Sequence, residues 1–107
     1  MNMKSSNPDK VFEKSVHRAL RQMMHPEINH NLVDLGMIKN VIVEGNKVVL
    51  TLTLPFMYVP IKEELMRSVR NAIKKLSADA KIEIKLAEMN EKERANFMKM
   101  AREAWIG

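Results

Sequence analysis

Several residue types that carry chemistry in other small proteins are scarce or missing here. The 107 residues include no cysteine, which excludes disulfides, thiolate catalysis and thiolate-ligated metal centres. Only three glycines occur, which rules out a glycine-rich phosphate-binding loop. The longest apolar runs are far shorter than the roughly 20 residues that a membrane helix needs. Residues 1–6 lack the apolar stretch of a signal peptide, so we expect a cytoplasmic protein.

The composition indicates one small globular domain. Hydrophobic residues make up 46% of the chain, an ordinary share for a folded protein with a single modest core. The ten methionines are interpreted mainly as core residues, since Met adapts to irregular gaps. Lys and Arg total 18 against 13 Asp and Glu, for a net charge of +5. These charges are spread along the chain, which favours a solvated surface over a clustered nucleic-acid footprint.

Apolar residues at helical spacing predict three helices. The first begins at the capping segment Ser6–Asp9 and ends near Met24, ahead of a proline. The second covers about residues 61–76, with its basic residues on the solvated side. The third begins at Asn90, where Glu93 three residues later is typical of a capping pair.

Three segments have the residue pattern of β-strands. Residues 37–43 and 47–54 flank a turn and form a hairpin. Residues 81–86 alternate strictly between apolar and charged side chains, which predicts a strand with one solvated face. The order predicts an α/β (α+β) two-layer sandwich: an α-β-β-α-β core with an added C-terminal helix. The pattern does not identify the central strand.

The segment between the second strand and the second helix is unusually apolar for a loop. Two prolines enclose four bulky apolar residues, Phe56, Met57, Tyr58 and Val59. Either they seal one end of the core or they form an exposed contact surface. The narrow apolar stripe of the last helix poses the same choice, and packing within the chain is favoured because an isolated helix of that length is marginal in water.

The connector after the first helix holds four side chains that can ligate metals: His25, Glu27, His30 and Asp34. Their spacing matches no metal motif, and turn or capping roles explain them more simply. No Ser–His–Asp signature is present either. Catalysis has no positive support, and we expect a protein that is not an enzyme and holds no cofactor.

Three segments resemble the signature of the iron–sulfur cluster assembly domain family. They are residues 25–28 (HPEI), 31–38 (NLVDLGMI) and 51–53 (TLT). The family includes Suf-associated and PaaD-like proteins, and domains found with Mrp-type P-loop ATPases that carry clusters. The resemblance covers roughly residues 11–86 and implies an α-β-β-α-β fold, in agreement with the pattern above.

The chain departs from that signature at the position of the family's cysteine and at the first residue of the motif. The family usually has Pro-x-Cys-Pro after the TLT strand, whereas residues 55–60 stand here with Val59 at the cysteine position. His25 replaces the aspartate that opens the motif. Valine cannot ligate iron or form a persulfide, so the resemblance points to a cysteine-free branch. It implies a non-catalytic adaptor in cluster assembly or transfer that docks onto a cluster carrier or target protein without ligating a cluster by cysteine.

The polar first residues and the helical pattern, taken with the resemblance, predict the boundaries. We expect a disordered tail (1–6), an iron–sulfur cluster assembly-like domain (7–89) and a C-terminal helix (90–107). The resemblance also implies partners and a site. The implied partners are an Mrp-type P-loop ATPase that carries clusters or Suf-type assembly proteins. The two threonines alone indicate no more than strand propensity. With the motif match added, the predicted partner-binding residues are Phe56, Met57, Tyr58, Val59, Asp34, Thr51 and Thr53.

Other functions stay open at this point. A KH-like nucleic-acid-binding module fits the small α/β fold and the positive charge, although the chain lacks the Gly-x-x-Gly loop of such domains. A small PaaD-like subunit of a larger enzyme assembly is a further alternative. A homodimer is a further alternative for the assembly state.

Overall fold

The structure, a computed structural model, describes residues 8–105. The predicted tail at residues 1–6 lies outside this part of the chain. The elements are α1 (Pro8–Arg21), β1 (Ile38–Glu44), β2 (Lys47–Leu54), α2 (Lys62–Leu76), β3 (Lys81–Glu88) and α3 (Glu91–Ala104). This order confirms the predicted α+β fold with its added C-terminal helix. No helix among residues 8–105 has the length and hydropathy of a membrane span.

The three strands form one mixed sheet with β2 at its centre. The tight hairpin places β1 antiparallel to β2, and the crossover through α2 brings β3 in parallel on the other side. The pairing of β2 with β3 is regular, with Leu50 opposite Ile84 and Leu52 opposite Leu86. Residues opposite each other share a sheet face. The leucines of β2 therefore share one face of the sheet with Ile82, Ile84 and Leu86 of β3.

The core lies between this face and the first two helices. Every second residue of β2 is fully buried, as the alternation predicts. α1 and α2 pack against each other and against the two outer strands. The apolar stripe predicted for α2 is buried at Leu65, Val69 and Ile73. The buried residues of β2 and of the two helices form a single cluster: Val16, Leu20, Val48, Leu50, Leu52, Leu54, Leu65, Val69 and Ile73.

The strand β1 is irregular in a way that the sequence pattern did not reveal. Its pairing with β2 shifts by one residue between Lys39 and Ile42. Asn40 lies within this bulge at a φ of 54°, a left-handed conformation that Asn tolerates better than most residues. The outer edge of β1 is therefore bent rather than straight.

The last helix begins as predicted and folds back over the connector between α1 and β1. The Asn90 side chain accepts a hydrogen bond from the Glu93 backbone N–H, and the Glu93 side chain accepts one from the Asn90 N–H. Phe97 and Ala101 are buried. At the far end, the Asn29 N–H donates to the carbonyl oxygen of Ala104 over 2.8 Å. The helix therefore packs within the chain, as expected from its length and narrow apolar stripe.

Candidate functional site

Three segments meet at one end of the sheet and enclose a groove. The connector before β1, the loop after β2 and the helix after β3 all lie at this end, because β1 runs antiparallel to the other two strands. The groove has a volume of about 630 Å³, within the range of small-ligand and side-chain pockets. We call it the end groove, and its apolar lining includes Ile28, Met37, Phe56, Val59, Phe97 and Trp105.

The apolar loop serves both purposes that the sequence left open. Pro55 is buried and Val59 packs against the core, so part of the loop seals the end of the domain. Phe56 and Tyr58 turn outward, with exposed fractions of 52% and 96%. A tyrosine this exposed gains almost nothing from folding, so its apolar surface is free to contact a partner.

Arg94 of α3 holds the loop in place. Its Nε donates to the carbonyl oxygen of Pro55 over 2.8 Å, and one Nη donates to the carbonyl oxygen of Met89 over 2.9 Å. The guanidinium also lies 5.1 Å from the centroid of the Phe56 ring, within the range of a cation–π contact. Sequence reasoning missed Arg94, since nothing in the helical pattern distinguishes it from the other basic residues of α3.

His25 lies in the wall of the end groove and is 7% exposed. Its Nδ1 accepts a hydrogen bond from the Glu27 backbone N–H over 3.0 Å, and its ring packs against Phe97 with centroids 6.4 Å apart. Burial lowers the pKa of His25, and this outweighs the opposite effect of Glu27 and Glu64. The ring is therefore neutral near pH 7, with its proton on Nε2.

This arrangement gives no support to a metal site in the connector. Because His25 Nδ1 already accepts the Glu27 N–H, binding a metal ion through this imidazole would require that hydrogen bond to break. Among residues 8–105, no three His, Asp or Glu side chains gather closely enough to hold a metal. Asp34 instead closes a turn: its N–H donates to Asn31 Oδ1 over 2.8 Å, and its carboxylate accepts from Asn31 Nδ2 over 3.0 Å.

The structure brings together only part of the predicted partner-binding set. Phe56, Tyr58 and Val59 line the end groove, whereas Met57 lies in the same loop, half-buried and outside the lining. Asp34 is exposed in the connector, apart from the groove.

The two predicted threonines lie on the sheet face opposite the leucines of β2. Thr53 is 4% exposed and Thr51 is half-buried. Lys39, which lies opposite Thr51, forms an ion pair with Glu93 at the start of α3. Neither threonine belongs to the groove lining, and a binding role for them stays a prediction.

The amino-acid sequence is similar to those of known iron–sulfur cluster assembly and carrier proteins. The sequence profile described as "Iron-sulfur cluster assembly protein" matches residues 13–86. An iron–sulfur cluster carrier protein from Mycobacterium leprae is 30% identical over 92 residues, which are 85% of this chain and 24% of that protein. One of the same name from Synechocystis is 33% identical over 72 residues, 67% of this chain and 20% of its own length. The chain thus spans about a quarter or less of each of these relatives.

A solved structure shares the architecture. The crystal structure of a domain of unknown function (DUF59) from Bacillus anthracis superposes with a TM-score of 0.67 and covers 94% of this chain and 98% of its own. Its sequence identity is 19%, so the likeness concerns the fold. The superposition covers nearly the whole of both chains.

Proposed function

This chain belongs to the iron–sulfur cluster assembly protein family, and we propose that it serves cluster assembly as a non-catalytic adaptor that docks onto an iron–sulfur cluster carrier. The observation that carries the proposal is the end groove beside the exposed aromatic residues of the loop 55–60. This loop follows the TLT strand, where the family resemblance places a cysteine. In these 107 residues no cysteine is present, so the cluster, as cargo, would stay on thiolates of the partner.

The physical character of the groove suits protein docking. Phe56 and Tyr58 line the groove and expose much of their aromatic surface to solvent. Buried aromatic anchors supply much of the binding energy in protein interfaces, with tyrosine among the most frequent. The lining is mostly apolar, with His25, Glu27 and Arg102 as its polar exceptions. We therefore expect an apolar or aromatic side chain of the partner to enter the groove.

The relatives suggest which partner to test first. In both curated relatives the matching stretch is a minor part of a longer carrier protein, 24% and 20% of its length. In those proteins the matching stretch and the rest of the carrier belong to one chain. We propose an Mrp-type P-loop ATPase that carries clusters as the partner of this chain, with a Suf-type assembly protein as the alternative.

The proposal predicts that binding depends on the loop. Calorimetry should detect binding of the parent chain to the purified carrier ATPase of the same organism. Tyr58→Ala and Phe56→Ala should each weaken it by about tenfold or more, since truncating an aromatic anchor commonly costs 2 kcal/mol or more. Ile42→Ala is the matched control, because Ile42 is also an exposed apolar residue but lies on β1, outside the groove.

The result that contradicts the proposal is equally specific. If both loop variants bind the carrier and the Suf-type proteins as tightly as the parent does, the loop is not the docking surface. If the Ile42 variant loses binding while the loop variants keep it, the partner contacts the sheet instead.

A further inference from the structure

The outer edge of β3 has the features of a strand that can accept another strand. Among residues 8–105 no segment pairs with this edge. β3 pairs with β2 over its full length of eight residues without a register shift. The opposite edge of the sheet, in β1, is interrupted by the bulge at Asn40. A straight, regular edge presents unpaired backbone groups in a row, whereas a bulge disrupts that row.

The hydrogen bonds to β2 show which backbone groups of β3 point outward. The Lys81 N–H donates to the Asn46 carbonyl oxygen, and the Met89 N–H donates to the Leu54 carbonyl oxygen. Along a strand, successive residues direct their backbone N–H and C=O to opposite sides. The odd-numbered residues therefore face β2, and the N–H and C=O groups of Ile82, Ile84 and Leu86 face outward.

We propose that β3 pairs antiparallel with β3 of a second copy of this chain, centred on Ile84. In this register Ile84 lies opposite its own copy, Ile82 lies opposite Leu86, and Glu83 lies opposite Lys85. The outward-facing residues form the hydrogen-bonded pairs, as antiparallel geometry requires. The two sheets become one continuous sheet, and each of the two Glu83–Lys85 pairs joins opposite charges across the interface.

Charge selects this register over its neighbours. Sliding the copies by two residues in one direction places Glu83 opposite Glu83, and sliding them in the other places Lys85 opposite Lys85. Like charges directly opposite each other destabilise a strand pair. Lysines on an edge strand ordinarily discourage pairing, but in the centred register each Lys85 meets a glutamate. Sliding by four residues, to a register centred on Ile82, again pairs opposite charges, Lys81 with Glu83, but only residues 81–83 of the strand then overlap. The register centred on Ile84 therefore combines paired opposite charges with a long overlap, over residues 81–87.

The apolar side chains fit the same arrangement. Ile82 and Ile84 are half-buried and Leu86 is 37% exposed on the helix side of the edge, so pairing would bury more of all three. One hydrogen bond has to be exchanged, because an Nη of Arg70 donates to the outward carbonyl oxygen of Ile82 over 3.3 Å. No residue of β3 lines the end groove. The dimer therefore leaves the proposed docking site open, and this inference does not rest on it.

The experiment is a charge-swap series in the full chain, with mass measured by sedimentation equilibrium across a dilution series. The parent should dimerise reversibly. Glu83→Lys and Lys85→Glu should each raise the dimer dissociation constant by about tenfold or more, because each puts two like-charge pairs in the interface. The double variant restores opposite charges with reversed polarity and should dimerise like the parent. Lys99→Glu, an exposed charge reversal on α3, should leave the dimer unchanged.

Cysteine substitutions test the register independently, and the chain offers no competing thiol. Ile84→Cys places two thiols at the two-fold axis, with Cα atoms about 5.5 Å apart, inside the range that a disulfide spans. In Ile82→Cys each new thiol lies opposite Leu86 of the second copy. The two thiols are then four residues apart, about 13 Å along the strand. Oxidation should therefore yield disulfide dimers from the first variant and not from the second.

Three results overturn the inference. A parent that stays monomeric at every concentration, a dimer that the charge reversals do not weaken, or disulfide formation at position 82 but not at 84 would each exclude the centred β3 pairing.

Discussion

Replacing Arg94 by alanine is expected to destabilise the fold and free the apolar loop in one step. Arg94 connects three parts of the molecule: the start of α3, the end of β3 and the loop 55–60. It does so through two hydrogen bonds to backbone carbonyl oxygens and through its position over the Phe56 ring. Alanine removes all of these contacts and preserves the helix, since alanine has the highest helix propensity.

The magnitude follows from the individual contacts. Each of the two hydrogen bonds contributes about 1 kcal/mol, a value near the middle of the usual range because the site is only partly buried. The contact with Phe56 adds about 0.5 kcal/mol, as expected for an exposed cation–π pair. The contact between an Arg94 Nη and Glu88 Oε2, at 3.4 Å, is largely exposed and adds little. The free energy of unfolding should therefore fall by about 2.5 kcal/mol, which corresponds to a decrease in Tm of roughly 10 °C or more in a domain of this size.

Two measurements check this expectation together. Urea unfolding gives the loss in the free energy of unfolding, and native-state hydrogen exchange shows whether protection falls first in and around the loop. Arg67→Ala is the control, because Arg67 is an exposed arginine of α2 that also becomes alanine within a helix. Unchanged stability and unchanged exchange in the Arg94 variant would refute the idea that this side chain holds the loop.

Three further predictions concern single residues. Tyr58→Ala should change the free energy of unfolding by no more than about 0.5 kcal/mol, because the side chain is 96% exposed; a larger loss in urea unfolding would mean that the loop depends on this ring. Asn90→Ala should lower the free energy of unfolding by about 1 kcal/mol through loss of the capping box, and urea unfolding that matches the parent would contradict this. The lowered pKa of His25 predicts a contribution to stability that is complete above the ordinary pKa of 6.5 and is lost as the pH falls through the folded-state value. The parent should therefore lose more stability than His25→Asn between neutral and acidic pH, and parallel losses would argue against it.

The sequence predicted the secondary structure well because its periodicities are unambiguous. The predicted strand 47–54 has the bounds of β2, and the predicted helix 61–76 differs from α2 by one residue at its start. Both segments have a buried face and a solvated face, so one period dominates each of them. The strand predicted at 81–86 extends two residues further, to Glu88, because residues 87 and 88 pair with the end of β2.

Features that depend on contacts between distant residues could not be predicted in this way. The central position of β2 depends on the side of the hairpin at which β3 joins the sheet after α2. The order of elements alone allowed β3 to pair with either strand of the hairpin. The bulge at Asn40 lies in a run of residues that reads as an ordinary strand. A bulge changes the pairing of two strands and leaves little trace in the alternation of one.

The candidate site also depends on contacts between residues far apart in the sequence. The composition of residues 55–60 identified an apolar loop, but the four residues between its two prolines are too few to show a period that separates an inner from an outer side. That separation comes from Arg94, 39 positions after the carbonyl group that it binds, and from α3, which closes the end groove. With Pro55 held by this hydrogen bond and Val59 packed on the core, Phe56 and Tyr58 are left at the mouth of the groove. The surface proposed to bind the carrier is therefore a product of the last helix as much as of the loop, and variants that detach α3 should weaken carrier binding even when every residue of the loop is intact.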